Sequence, residues 1–142
     1  VPKSLSSLYV AARKMMGEQI APILQTAIAD FISEGELEKH VRHLQAVYSD
    51  RRQFLGNCLH SQFGEQVKIS GNDSGVFLLA RFESTMEEET CIQKAAEAGV
   101  GILSSRPFYI GQRPPHEYVL GFGNLDFPEI EEGIKRLRSI LT

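Results

Sequence analysis

The residues best suited to chemistry lie in one loop near the end of the chain. This segment, Ser104 to Glu117, contains three prolines and one glycine. It also collects hydroxyl, amide and guanidinium groups, on Ser104, Ser105, Arg106, Tyr109, Gln112 and Arg113. Loops of this length between two strands often carry functional residues. The alternative is a surface loop stiffened by its prolines, and composition does not decide between the two.

Elsewhere in the chain, the groups typical of an active site form no recognisable set. There is no phosphate-binding loop, no dinucleotide fingerprint and no H-E-x-x-H or G-x-S-x-G motif. His40 and His43 are three residues apart, but no third metal ligand accompanies them. Five of the six lysines fall on polar sides of helices or in a terminus, and Lys68 lies in a short strand beside a turn, whereas a Schiff-base lysine must be partly desolvated. We therefore predict no catalytic, cofactor-binding or metal-binding residue in this chain.

Composition indicates one globular domain. The 142 residues are 42% hydrophobic and 23% charged, which suits a single core. The net charge of -3 gives no basic surface for nucleic acid, so we expect no direct contact between this segment and DNA. No apolar run is long enough to span a bilayer, and no secretory pattern is present. Cys58 and Cys91 lack metal-ligand spacing, so we expect two buried thiols in a cytoplasmic protein.

The first half of the sequence has helical periodicity. Apolar residues spaced by three and four predict one helix from Pro2 that ends at Gly17 and a second from Glu18 to Gly35. A third helix, from Glu36 to Phe63, carries its apolar residues on one stripe. The first two helices have apolar faces with no evident place in the core that the remaining elements would build.

The second half predicts a small sheet with two more helices. Strands are expected at Val67–Ser70, Val76–Phe82, Val100–Ser104 and Tyr118–Gly123. Helices are expected to begin at Ser84–Thr85 and at Asn124 or Asp126. The second strand is apolar on both faces at its start, which predicts a central position. The fold class is therefore α+β, a two-layer sandwich in which a mostly antiparallel sheet of about four strands is covered by the third and last helices.

Four segments together resemble the C-terminal part of fold-type I, pyridoxal-phosphate-dependent aminotransferases. Among these proteins, the resemblance is closest to the aminotransferase-like domain of MocR-type transcriptional regulators in the GntR superfamily. The segments are ADFISEGELEKHVRHLQAVYSDRRQFL, SGNDSGVFLLARF, AAEAGVGILSSRPFY and YVLGFGNLDFPEIEEGIKRLRSIL. They follow the order of the family and cover nearly the whole chain, and the last is the most specific.

The resemblance implies that residues 35–142 are the small domain and that residues 1–34 are helices linking it to a large domain. In that family the large domain supplies the Schiff-base lysine and most cofactor contacts. VPKSLSSLYVAARKMM is similar to the stretch shortly after that lysine. We therefore expect no cofactor in this chain and pyridoxal phosphate in the full-length parent, which the resemblance implies is a homodimer. If the isolated chain dimerises, the apolar faces of the first two helices are the candidate contacts.

One strand departs from the aminotransferase pattern. The small domain of these enzymes usually supplies an arginine to the substrate carboxylate, from a strand similar to R-L-S-F-A. Here the strand is VLGFG, and Val119 stands at the position of the arginine. A substrate carboxylate would therefore lack the arginine that binds it through two hydrogen bonds. We predict that Arg106 or Arg113 replaces that arginine, and we favour Arg106 because this residue directly follows a strand. Ser105 and Tyr109 complete the candidate set for an amino acid or amine ligand.

Three functions are compatible with these observations. The favoured one is a non-catalytic fragment of the effector domain of a MocR-type regulator. The first alternative is the small domain of a metabolic class I/II aminotransferase. The second is a non-enzymatic interaction module whose likeness is only architectural, because a fold alone does not determine function. A winged helix-turn-helix upstream would favour the regulator.

Overall fold

The structure is a computed structural model that describes residues 2–17, 20–71 and 75–141. Contacts divide the chain into two compact units, Val1–His43 and Leu44–Thr142. Within the described residues, no helix is long and apolar enough to cross a membrane. The domain boundary expected between residues 34 and 35 stays a prediction.

The first unit is helical. A 3-10 turn, Lys3–Leu5, leads into α1 (Ser6–Met16), and Gly17 ends it with φ +68°, as predicted for a glycine stop. The start expected for the second helix, at Glu18, lies outside the described residues. Helix α2 (Pro22–Ser33) begins at Pro22, whose fixed φ suits a first turn. Neither helix contains a buried residue.

Helix α3 (Glu36–Phe63) has the predicted bounds. Its apolar stripe is buried only near its end, at Leu55, Leu59 and Phe63. A further 3-10 turn, Gly64–Gln66, leads into the sheet. The long helix therefore contributes to the core of the second unit through its last turns.

The sheet has four strands, β1 (Val67–Ser70), β2 (Phe77–Phe82), β3 (Leu103–Ser104) and β4 (Glu117–Gly121). Their order is β1-β2-β4-β3, and every pairing is antiparallel. The predicted central position of β2 is confirmed. The turn expected from Gly71 to Gly75 includes residues 72–74, which lie outside the described part of the chain.

One face of the sheet holds the core. Leu78, Ala80 and Phe82 of β2 and Tyr118 and Leu120 of β4 are buried there, together with residues of three helices. The helices are α3, α4 (Glu88–Glu97) and α5 (Phe127–Leu141). The prediction that the third and last helices contribute to this layer is confirmed, and α4 joins them through Cys91 and Ala95. The α+β sandwich is thus the observed architecture.

Several element boundaries differ from the predictions. Strand β2 begins at Phe77 rather than Val76, and β4 ends at Gly121 rather than Gly123. Helix α4 begins at Glu88 rather than at Ser84, since the Ser84 hydroxyl accepts a hydrogen bond from the N–H of Met86 and forms a separate turn. Strand β3 covers only the end of the expected segment. Strand β4 begins at Glu117, one residue earlier than predicted, which brings that carboxylate into the sheet.

The last helix confirms one of the two predicted caps. The Asp126 carboxylate accepts from the N–H of Glu129 at 2.8 Å, and the Glu129 carboxylate accepts from the N–H of Asp126 at 2.8 Å. This reciprocal arrangement is a capping box, which satisfies N–H groups that a helix start leaves unpaired. It fixes the helix that packs behind β4.

Candidate ligand-binding face and its loop

The sheet has a second face, opposite the core, which we call the open face. Alternation along β4 places Tyr118 and Leu120 in the core and Glu117 and Val119 on the open face. Pairing aligns Val119 with Leu79 on one side and with Leu103 on the other. These three residues form what we call the apolar row, with Leu79 and Val119 half-buried and Leu103 exposed.

A polar row lies beside the apolar row. Arg81 pairs with Glu117 in the register of β2 and β4. On the other side, the N–H of Ser105 donates to the carbonyl oxygen of Glu117 at 3.1 Å, which places Ser105 opposite Glu117. We call Arg81, Glu117 and Ser105 the polar row. The open face thus combines a charged edge with an apolar strip.

The β3–β4 loop, residues 105–116, is fastened at both ends by one carboxylate. Glu88, at the start of α4, forms an ion pair with Arg113 and accepts the N–H of His116 at 2.7 Å. The Ser104 hydroxyl donates to the same carboxylate at 3.4 Å. His116 has φ +54°, a conformation uncommon outside glycine, and the bond to Glu88 holds it there.

The Glu88–Arg113 pair is shielded from water. The two side chains are 19% and 12% exposed, respectively. The hydrogen bond from Arg113 is the main cause that lowers the pKa of Glu88, against an opposing effect of burial. In return, the hydrogen bond to Glu88 raises the pKa of Arg113. The position of Glu88 in the first turn of α4 also favours its charged form.

Glu117 is the less satisfied carboxylate of this region. It is 5% exposed and Ser105 is fully buried, yet the Glu117 Oε1 and the Ser105 hydroxyl have no hydrogen-bond partner among the described residues. Its contact with the Tyr109 hydroxyl raises the pKa of Tyr109. Buried polar groups without partners are uncommon, because each one loses its hydration without replacement.

The predicted ligand residues are distributed unequally. Ser105 and Tyr109 both adjoin Glu117. Arg113 is held by Glu88 and is not available to a ligand in this conformation. Arg106 is exposed, its backbone N–H donates to the Ser104 hydroxyl at 3.2 Å, and its guanidinium contacts no polar group in the described part of the chain. Their assignment as ligand-binding residues stays a prediction.

Glu88 and Glu117 were not among the residues predicted from the sequence. Their importance depends on burial and on contacts with residues distant in the chain. One signal for Glu117 was available, because it precedes Val119 by two residues and therefore shares its face if the strand begins early enough. No comparable signal links Glu88 to Arg113, which lies 25 residues later.

The described residues of the second unit line at least two cavities. One, of about 660 Å³, is lined by Arg81, Pro115 and His116 together with residues 82–86 and the end of α5. The other, of about 620 Å³, lies between the end of β4, the segment from Gly99 to Ile102 and the start of α5. Neither is lined by Ser105, Arg106, Tyr109 or Arg113.

The chain does not fit pyridoxal phosphate by itself. A lysine that forms a Schiff base must be held partly away from water so that its amine can be neutral. All six lysines of the chain are exposed, including Lys68 on β1. Within the described residues, no three histidine, cysteine or acidic side chains come together as a metal site.

Comparisons with known proteins identify regulators and aminotransferases. The chain is 33% identical to the uncharacterized HTH-type transcriptional regulator YhdI of Bacillus subtilis, over 89% of the chain and 27% of that protein. It is 32% identical to the "Probable rhizopine catabolism regulatory protein MocR" of Rhizobium meliloti, over 98% of the chain and 28% of that protein. The chain thus spans about a quarter of the length of the curated relatives it matches. No family model matches the chain.

A solved structure supports the fold. The chain matches LysN, the alpha-aminoadipate aminotransferase of Thermus thermophilus, with a TM-score of 0.79, 22% identity, and coverage of 99% of the chain and 36% of LysN. That structure is a complex with N-(5'-phosphopyridoxyl)-L-leucine. The fold is therefore that of the aminotransferase small domain with its preceding helices. The resemblance to aminotransferase-like proteins and to regulators of the MocR type is confirmed.

Proposed function

We propose that this chain is the C-terminal small domain of the aminotransferase-like effector domain of a MocR-type transcriptional regulator in the GntR superfamily. The regulators YhdI and MocR are similar to it over most of its length. In this role the domain binds an amino compound and transmits its presence, and it does not catalyse a reaction alone. Because it would act with DNA-binding parts elsewhere in the parent, we expect the parent to be cytoplasmic.

The observation that carries the proposal is the setting of Val119. An aminotransferase places an arginine at this strand position, and a guanidinium would bind the substrate carboxylate through two parallel hydrogen bonds. Here the position is aliphatic and lies between Leu79 and Leu103. The open face therefore lacks the carboxylate anchor of transamination but keeps a shape on which a ligand can rest, which suits recognition more than turnover.

Arginines of the loop are the remaining candidates for a ligand carboxylate. Arg106 is the better one, because its guanidinium is exposed and unengaged among described residues, whereas Arg113 must first leave Glu88. Ser105 and Tyr109 would contribute hydroxyl groups. The alternative of a metabolic aminotransferase requires one of these arginines to replace the missing strand arginine. A non-enzymatic interaction module would need neither Arg106 nor Arg113 for a ligand carboxylate.

Pyridoxal phosphate would be a cofactor of the parent and not of this chain. We propose that residues outside the chain hold it, because every lysine here is exposed. The parent would be a homodimer with an amino acid or amine ligand. No membrane association is proposed.

The cofactor proposal has a direct test. Pyridoxal phosphate is added to the purified chain, the mixture is reduced with borohydride, and mass spectrometry locates any modified lysine. We expect no stoichiometric adduct at a single lysine and no red-shifted aldimine absorption. A single modified lysine would place an active site inside this chain and overturn the assignment of a cofactor-free domain.

The regulator and the enzyme differ in the rest of the protein. Translation of the reading frame upstream of the Val1 codon should give a cofactor lysine and, before it, a winged helix-turn-helix. A lysine without a DNA-binding segment would favour the metabolic aminotransferase. Absence of both would favour the interaction module.

Dimer contacts through the first two helices can be tested on the chain itself. Met15, Ile23 and Leu8 are 89%, 77% and 65% exposed, and large exposed apolar surfaces favour association. Sedimentation should show a concentration-dependent dimer. A monomer at every concentration would remove these helices as candidates.

A further inference from the structure

We propose that Glu117 and Ser105 form a subsite, covered by Tyr109, for the primary ammonium group of a ligand whose apolar body lies on Val119 and its neighbours. This inference rests on the proposed function only in assigning a ligand to the open face. It gives the chemical class of that ligand, an alkyl or arylalkyl amine. A strand that carries the aminotransferase arginine would bind a carboxylate and would not need an ammonium subsite.

The first argument is a deficit of positive charge. Glu88 and Glu117 both act on Arg113 and raise its pKa, but the guanidinium bonds to Glu88. Arg81 lies opposite Glu117 in the register, yet no ion pair joins them. Two shielded carboxylates therefore share one engaged arginine. A buried carboxylate without its own cation is unfavourable unless another positive group completes it.

The second argument is an excess of acceptors. Oε1 of Glu117 and the hydroxyl of Ser105 are buried without a partner among the described residues. An ammonium group has three N–H donors and no acceptor, so it suits a set of oxygen atoms. Hydrogen bonds between an ammonium group and a carboxylate are roughly twice as strong as neutral ones. A ligand carboxylate would instead meet Glu117 as a like charge.

The third argument is the adjacent apolar row. Glu117 and Val119 lie two residues apart on one strand and share the open face. Leu79 and Leu103 flank Val119. A ligand that places its ammonium group at Glu117 can therefore rest its carbon chain on aliphatic side chains. The combination of one cationic end and one apolar body defines the ligand class.

Access to the subsite runs past Tyr109. Glu117 is 5% exposed and Ser105 is fully buried, whereas Tyr109 is 37% exposed. The phenol contacts the Glu117 carboxylate and so occupies part of its hydrogen-bonding capacity. Binding of an ammonium group requires Tyr109 to move aside or to share the carboxylate. Removal of this hydroxyl in Tyr109→Phe should therefore leave amine binding intact or strengthen it.

The test is a titration of the isotopically labelled chain followed by NMR. Butylamine, butanol and butyrate are the probes, since they carry similar short chains with cationic, neutral and anionic ends. We expect butylamine alone to shift the backbone amides of Ser105, Glu117 and Val119 to saturation. Glu117→Gln should weaken this binding by at least about tenfold, because a charge-assisted bond is lost.

Two controls make the titration decisive. Glu65→Gln removes one exposed carboxylate elsewhere and should leave butylamine binding unchanged. Ser105→Ala should weaken binding less than Glu117→Gln, and a preserved amide spectrum would show that each variant folds. Equal shifts with butanol, preference for butyrate, undiminished binding by Glu117→Gln, or no shift at all would each overturn the proposal. None of these outcomes depends on what lies upstream of Val1.

Discussion

Two carboxylates beside the β3–β4 loop, Glu88 of α4 and Glu117 of β4, have contrasting surroundings. Glu88 accepts hydrogen bonds from Arg113, from the N–H of His116 and from Ser104, and it fastens both ends of a loop. Glu117 is more deeply buried, but one of its oxygens has no partner among the described residues. Burial alone thus does not distinguish a structural carboxylate from one that is available to a ligand. The hydrogen-bond and ion-pair partners of each carboxylate make that distinction.

The two carboxylates also differ in their expected contribution to the stability of the folded chain. A shielded carboxylate with its cation in place is held at little net cost, whereas removal of either partner leaves an unpaired charge that destabilises the folded chain. A carboxylate without a cation costs stability, and proteins retain such groups mainly at functional sites. We therefore expect substitutions of Glu88 and Glu117 to change stability in opposite directions.

The largest effect is expected for Glu88→Gln. The change leaves the guanidinium of Arg113 shielded from water without its anion, and it weakens the anchoring of the loop. We expect the free energy of unfolding to fall by about 2–3 kcal/mol, somewhat below the values for fully buried pairs. Chemical denaturation measures this, with the exposed Glu89→Gln as a control that should change stability by less than about 0.5 kcal/mol. A loss for Glu88→Gln no larger than that of the control would mean that the pair is not structural.

Next in size is Val119→Arg, which restores the cation typical of the aminotransferase strand. The new guanidinium would lie two residues from Glu117 on the same face and would compete for its carboxylate. We expect butylamine binding to weaken by about tenfold, equivalent to about 1.4 kcal/mol. The matched control, Val119→Leu, keeps the aliphatic surface and should bind butylamine as the wild type does. Unchanged binding by Val119→Arg in the NMR titration would separate Val119 from the ligand.

A smaller effect is expected from acidification. The folded chain lowers the pKa of Glu88 below its ordinary value of 4.5. The contribution of ionised Glu88 to stability is therefore complete at pH values above the pKa of this group in the unfolded state. It is lost as the pH falls through the lower pKa of the folded state. Denaturation curves of the wild type should show this loss on acidification. Over the same pH range, the free energy of unfolding of Glu88→Gln should depend less steeply on pH. Identical slopes for the two proteins would refute the role of Glu88.

The sequence was sufficient for most of the fold. Helical spacing predicted α1 and α3, and Gly17 predicted the end of α1, because those signals are local. The apolar pattern of β2 predicted its inner place in the sheet. The start of α4 was wrong because Ser84 accepts a hydrogen bond from Met86 and closes a short turn before the helix. Such competition between side chain and backbone is difficult to predict from residue types alone.

The candidate site was only partly predictable. The loop with Ser105, Arg106, Tyr109 and Arg113 was found from its composition. The two carboxylates were not, because Glu88 meets Arg113 across 25 residues of sequence and Glu117 enters the sheet only through pairing of β4. Long-range partners depend on the tertiary fold, and they decide which polar groups are satisfied.

The central claim is that β4 offers a ligand a carboxylate at Glu117 in place of an arginine. Chemical unfolding of the wild type and Glu117→Gln, each with and without butylamine, tests it most directly. We predict that without ligand the variant is at least as stable as the wild type, because an uncompensated buried charge has been removed. Butylamine should stabilise the wild type only, since ligands that bind the folded state raise its stability. A variant less stable than the wild type by about 1 kcal/mol or more, with no effect of butylamine on either protein, would show that Glu117 is structural and contradict the claim.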